Sequence, residues 1–236
     1  MPTTSQAIEY RDGDVQLSGV MFADSARAKP RPGILVVHGG AGLDDHAKGR
    51  AKAIADLGFV TFACDMYGST VRGNAERIMA ALQEFRRDTS KLCRRAQAGL
   101  DVLLSNPEVD GRIAAVGYCF GGMTVLELAR ASADLAGVVS VHGSLDTAHP
   151  AHPGVIKAKI LVCHGALDPH VPMPHVTAFV DEMSLASADW QLHIYGGAMH
   201  GFTHESGPVR PGVAYNAAAA AHSTIAMTNF FVEIFR

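Results

Sequence analysis

Cys119, Asp168 and His200 stand in the order nucleophile, acid, base, with intervals that suit acyl-transfer chemistry. Cys119 lies in GYCFGG, residues 117–122. This is the glycine-x-nucleophile-x-glycine pattern of a sharp strand-to-helix turn, with cysteine where serine is usual. Gly117 and Gly121 are expected there because side chains would strike the neighbouring strand and helix. A helix beginning near Gly121 would aim its amide groups at the sulfur, and its dipole favours a thiolate and a developing oxyanion. The bland alternative is a small buried apolar residue, the usual fate of free cysteine. The paired glycines and the strand-to-helix position favour the nucleophile.

The base and acid follow from chain order. His200 comes after the last strand, in the glycine-rich loop GGAMHGF, which can carry an imidazole over the turn. Two near-duplicate segments offer the acid: VHGSLD ends in Asp146 and CHGALD in Asp168. Asp168 is preferred because Pro-His-Val-Pro follows it and fixes a turn, and because its strand precedes the one that leads to His200. Asp146 reads as a cap or turn residue. Backbone donors for an oxyanion are expected from Phe120, directly after the nucleophile, and from Gly40 in the HGGAG loop at 38–42. His164, Asp168, His170 and His175 cluster in sequence, but their spacing matches no zinc motif such as HExxH. No metal and no cofactor are therefore expected. Cys64, Cys93 and Cys163 read as core or helix-face residues.

These side chains need a frame, and the apolar pattern supplies one. Strands are expected at 15–22, 34–37, 59–63, 113–118, 136–141, 159–163 and 190–195. Helices are expected at 44–57, 74–87, 89–105, 121–131, 174–186 and 215–235. Such alternation implies an α/β fold with a mostly parallel central sheet and helices on both faces. Ligands then bind at the carboxyl ends of the strands. His38-Gly39-Gly40, Asp65 to Gly68, Cys119, His142-Gly143, His164 to Asp168 and His200 all follow strand ends. No repeat, linker or composition break appears, so one domain over 1–236 is the simplest account.

Composition narrows the class further. Of 236 residues, 48% are hydrophobic and 18% charged, which excludes a disordered chain. A net charge of -3 without a basic block gives no footing to nucleic acid or an anionic membrane. MPTTSQAIEYRDGD is not a secretory signal, and polar residues interrupt the terminal apolar stretch YNAAAAAHSTIAMTNFFVEIF, so no membrane span is expected. Four cysteines without CxxC spacing suit a reduced, cytoplasmic protein. A monomer or homodimer is expected.

Over nearly its whole length, from about residue 10 onward, the sequence resembles the dienelactone hydrolase family of the α/β-hydrolase fold. The resemblance rests on VVHGGAGLDDH, CDMYG, VGYCFGG, HGALDPHVP, GAMHGFT and YNAAAAAHS. A cysteine in the nucleophile turn is itself a mark of that family. The resemblance implies a carboxylic ester hydrolase of the carboxymethylenebutenolidase type, acting on small-molecule esters or lactones through Cys119, Asp168 and His200. A thioesterase, a broad carboxylesterase or a catalytically weak ligand-binding protein are the alternatives on the same frame. Tyr67 and Arg72 fall near the family's substrate contacts. Family members that cleave dienelactone carry a glutamate where this chain has Gly39, and an arginine where it has His204. Gly39 offers no side chain to couple a substrate carboxylate to the thiol, and neutral imidazole holds a carboxylate less firmly than a guanidinium fork. Uncharged esters or lactones are therefore expected to be turned over at least as well as carboxylate-bearing ones.

Overall fold

Strands and helices alternate along the chain as the apolar pattern requires. The computed structural model describes residues 3–26, 30–207 and 209–236. The chain divides into two compact units, Met1–Val116 and Gly117–Arg236.

The first unit holds β1 (Thr4–Asp12), β2 (Val15–Ala23), β3 (Arg31–Val37), α1 (Asp45–Asp56), β4 (Val60–Cys64), α2 (Ala75–Arg87), α3 (Thr89–Leu104) and most of β5 (Val109–Tyr118). Its strand order is β1-β2-β4-β3-β5. β3 and β4 pair in parallel, while β2 runs antiparallel to both β1 and β4. The ILVV run of β3 is fully buried. Because side chains alternate along a strand, residues three apart face opposite ways. Thr61 donates its hydroxyl to the Ala51 carbonyl of α1. Cys64 packs against α3, where a Cβ on Gly99 would come within 2.9 Å of its own Cβ. So α1 and α3 cover opposite faces.

Two differences from the sequence reading concern strands held by pairing. The apolar pattern gives no sign of β1, because most of its residues are exposed and burial leaves no signature. It is fixed by pairing with β2 along its whole length, from Thr4 with Ala23 to Asp12 with Val15. The two-residue Gly13-Asp14 turn, with Gly13 at φ +57, was the available signal. β3 and β5 also start earlier than expected, at Arg31 and Val109. Their added ends are tied by the Arg31 amide on the Glu108 carbonyl and by an Arg31–Glu108 ion pair at 2.8 Å.

The second unit begins at the end of β5 and continues through α4 (Phe120–Arg130), β6 (Gly137–Val141), β7 (Lys159–Gly165), α5 (Met173–Leu185), β8 (Trp190–Tyr195) and α6 (Ala217–Ile234). β6, β7 and β8 are adjacent and parallel. A Cβ on Gly137 would meet Ile234 and Phe230 of α6, whereas Ser140, three residues on, lies against Gly122 of α4. Helices again cover both faces. Every residue of α4 is buried. At its end, Arg130 takes both oxygens of Glu182 at 2.9 and 2.7 Å, Glu127 at 2.9 Å and the Leu145 carbonyl at 2.8 Å. This one guanidinium ties α4 to α5 and to the segment after β6. Among the described residues, no helix is long and apolar enough to cross a membrane.

Arg130→Ala would strand the Glu127 and Glu182 carboxylates in the interior. The expected cost is about 3–5 kcal/mol. It would be read as a fall in the urea midpoint at an unchanged m-value. A cost below about 1 kcal/mol would show that the exposed-pair regime applies instead.

Candidate active site

β5 runs straight into α4 with a single residue between them, Cys119. That residue adopts φ +55 and ψ -112, outside the regions ordinary for a side-chain-bearing residue. Its carbonyl accepts the Gly122 and Met123 amides, at 3.0 and 3.3 Å, so the helix is wound from the cysteine onward. Phe120 is the first helical residue, and its amide belongs to the turn where a helix has donors to offer. Glycine is required at 117, since a Cβ there would overlap the Gly121 carbonyl. It is also required at 122, where a Cβ would come within 2.8 Å of the Gly143 Cα. Gly117 thus lies directly against Gly121, as the sequence pattern requires, and Gly122 adds a second close approach.

The acid candidate sits on the turn after β7. Asp168 donates its amide to the Gly165 carbonyl, and its Oδ1 accepts the His170 and Val171 amides at 2.8 and 3.3 Å. Its side chain is wholly buried. The base candidate sits on the loop after β8. There the His200 amide donates to the Gly212 carbonyl and the His200 carbonyl accepts the Ala214 amide, so the loop is clamped on both sides. Gly201 turns the chain away at φ +68. The two loops are tied together as well, through the Ala166 amide on the Tyr195 carbonyl and the Leu167 amide on the Ala198 carbonyl.

These elements bring three side chains into line. His200 Nε2 lies 3.0 Å from Cys119 Sγ, and His200 Nδ1 lies 2.8 Å from Asp168 Oδ2. Burial opposes charge on both His200 and Asp168, yet the partners prevail. For His200, burial lowers the pKa, but the Asp168 and Cys119 hydrogen bonds and the Cys119 charge raise it to about 10. For Asp168, burial raises the pKa, but the His200 and His170 hydrogen bonds and the His200 charge hold it below the usual carboxylate range. Because the folded value of His200 is raised, its pairing contributes stability that is fully present below 6.5 and lost as pH rises through about 10. The depressed Asp168 works in the opposite sense, losing its contribution as the solution is acidified.

The other sequence candidates occupy varied surroundings. Asp146, the rival acid, is exposed, with His175 Nδ1 3.9 Å from its Oδ1. His204 closes a turn of the same loop as His200, donating its amide to the Gly201 carbonyl. In the first unit, Gly39 and Gly40 follow β3. The Gly39 carbonyl lies 2.7 Å from His38 Nδ1, and the Gly40 carbonyl accepts the Tyr67 hydroxyl at 3.0 Å. Arg72 donates to the buried Asp65 carboxylate at 2.8 Å and to the Ser18 carbonyl at 3.3 Å. Both Tyr67 and Arg72 thus shape the turns around them. Among the described residues, no three His, Cys, Asp or Glu side chains are grouped to hold a metal ion.

One residue that the sequence reading did not assign lies against the nucleophile turn. His142 Nδ1 accepts the Cys119 amide at 3.1 Å. The signal was present, because His142 ends a strand on the same edge and is followed by glycine.

Comparison with known proteins follows the same lines. A model of the dienelactone hydrolase family matches residues 18–235. An uncharacterised protein of Caenorhabditis elegans is 37% identical over 150 residues, which are 61% of this chain and 95% of that one. A probable 2-oxo-3-(5-oxofuran-2-ylidene)propanoate lactonase of a Bradyrhizobium species is 27% identical over 187 residues, 74% of each chain. Among solved structures, a dienelactone hydrolase-like promiscuous phosphotriesterase from metagenomic libraries has 41% identity and a TM-score of 0.93, with full coverage of both chains. The dienelactone hydrolase of Anabaena variabilis, 22% identical with a TM-score of 0.74 and full coverage of both chains, shares the fold. The fold is the α/β-hydrolase fold of these relatives.

The four thiols differ in their surroundings, which gives a direct check. Burial pushes the Cys163 thiol up to about 11 and that of Cys64 higher still, while Cys93 is half-buried on α3. Cys119 alone combines a helix N-terminus with an adjacent imidazole. Limiting iodoacetamide at neutral pH is expected to label Cys119 first, as read by peptide mapping. Preferential labelling of any other cysteine would contradict the assignment.

Proposed function

Because the chain belongs to the dienelactone hydrolase family, we propose that it hydrolyses small-molecule esters or lactones through a Cys119–His200–Asp168 triad, without metal or cofactor. The observation that carries this reading is the hydrogen-bonded path from sulfur to carboxylate, at 3.0 and 2.8 Å. The raised His200 favours an imidazolium beside a Cys119 thiolate. The thiolate attacks the acyl carbon. The Phe120 amide, at the start of α4, stabilises the tetrahedral oxyanion, and loss of one such donor costs about 3 kcal/mol of barrier. His200 gives its proton to the departing alkoxide or enolate, leaving a thioester on Cys119. Water, deprotonated by His200, then attacks the thioester and releases the acid. Asp168 keeps the Nδ1 hydrogen in place and balances the imidazolium charge throughout.

Lactones are favoured within the class by the Bradyrhizobium relative, described as a probable lactonase. A second reading comes from the relative described as a promiscuous phosphotriesterase. A thiolate that attacks an acyl carbon can also attack phosphorus in an uncharged phosphotriester, expelling an alkoxide and leaving a phosphorylated sulfur.

Turnover of a p-nitrophenyl ester tests the proposal. Cys119→Ala should abolish it, and Asp168→Asn should lower kcat by at least about a hundredfold. Asp146→Asn should leave activity near the native level, and EDTA should have no effect. In a matched substrate pair, the methylated compound should be turned over at least as well as the free acid. Full activity in Cys119→Ala would refute the mechanism, and a greater loss in Asp146→Asn would transfer the acid role.

A further inference from the structure

The histidine after β6 takes part in no step of the proposed reaction, yet its ring is hydrogen-bonded to the backbone of the nucleophile turn. His142 is buried, and its backbone stands at φ +42, a conformation unusual for a residue other than glycine. The next residue is closely confined as well. A Cβ on Gly143 would come within 2.7 Å of the Gly122 Cα and 2.6 Å of Ser140 Oγ, so the chain leaves β6 pressed against α4. The His142 amide is held by the Cys163 carbonyl at 2.8 Å. This path delivers the imidazole to the elbow.

Its two ring nitrogens have defined roles. Nδ1 accepts the Cys119 amide at 3.1 Å, an amide shared with the Val141 carbonyl at 3.0 Å. A ring nitrogen that accepts carries no hydrogen, so in the neutral ring the hydrogen is on Nε2. There it donates to Thr203 Oγ1 at 2.9 Å. Thr203 is buried and lies three residues after His200 on the same loop. His200 and Phe202 both meet the His142 ring edge-on, with centroids 5.4 and 5.1 Å away. One imidazole thus joins the backbone of the nucleophile turn to the loop that carries the base.

We propose that His142 and Thr203 form a brace that sets the separation of Cys119 Sγ from His200 Nε2, and that both are positioning residues for the reacting pair. This rests on the reading of Cys119 and His200 as that pair. A displacement of about 1 Å between reacting groups costs on the order of a hundredfold in rate. The brace is one restraint among several, alongside the Gly212 and Ala214 clamps on His200, so its loss is expected to cost about tenfold.

Thr203→Val keeps the shape and removes the hydroxyl, while Thr203→Ser keeps the hydroxyl. His142→Asn keeps an acceptor for the Cys119 amide on a residue that tolerates the left-handed backbone, but it is too short to reach Thr203. The expected result is a fall of about tenfold in kcat for a p-nitrophenyl ester and in the iodoacetamide rate at Cys119, for both Thr203→Val and His142→Asn, with KM within about twofold. Thr203→Ser should restore both rates, and the double variant should be no slower than the slower single one. A role confined to stability would lower the thermal midpoint while leaving both rates of the folded protein intact; that result, or additive losses in the double variant, overturns the brace. Should Thr203→Val fail to fold, His142→Asn decides by the same two rates. Failure of the functional reading is separately visible, because ester turnover by Cys119→Ala would remove that reading while the alkylation rate still judges the brace.

Discussion

A cysteine held at φ +55 and ψ -112 between a strand end and a helix start sets the terms for the second unit. Such a conformation costs about 1–3 kcal/mol, and it persists only where the surroundings over-determine it. Here they do. The Cys119 amide is taken by Val141 and His142, and its carbonyl by two amides of α4. Side chains are absent at 117, 122 and 143, where backbones come too close to admit a Cβ. The helix that begins at the turn is buried along its length, and its last residue, Arg130, is locked to α5. The strain is thus held by packing that extends far from the sulfur, and its product is a thiol presented at the sheet edge instead of in the core.

The second constraint is electrostatic. Asp168 and His200 are both in surroundings that would neutralise them if either stood alone, since burial raises a carboxyl and lowers an imidazole. Together they reverse both shifts. The carboxylate is further held by two backbone amides of its own turn, which fixes its direction as well as its charge. The contrast lies within the same chain: Cys163, one residue before His164 on β7, is buried, and burial pushes its thiol up. A thiol becomes useful or inert according to whether a helix start and an imidazole accompany it.

Local signals made much of this legible in the sequence. The glycines around Cys119 and the Pro-rich turn after Asp168 each constrain a few adjacent residues, so their meaning survives without a structure. The distinction between Asp146 and Asp168, near-duplicates in sequence, rests on the Pro-His-Val-Pro turn and the order of strands, and in the structure His200 Nδ1 lies 2.8 Å from Asp168 Oδ2. What escaped depends on distant partners. β1 is exposed and exists through its register with β2. The contact of His142 with Thr203 spans 61 residues and turns on which ring nitrogen carries a hydrogen. Gly122 is explained by Gly143, on another strand's end. Pairing, tautomer and close approach leave no periodic mark on a sequence.

In the proposed reaction the Cys119 sulfur forms and releases a covalent acyl intermediate. The most direct test is intact-protein mass spectrometry of samples acid-quenched during turnover of a p-nitrophenyl ester. The expected result is a transient mass increase equal to the acyl group, mapped to the peptide that contains Cys119, and accumulating in Asp168→Asn if deacylation slows more than acylation. Turnover with no adduct at any time point, or an adduct mapped to a different residue, would contradict it.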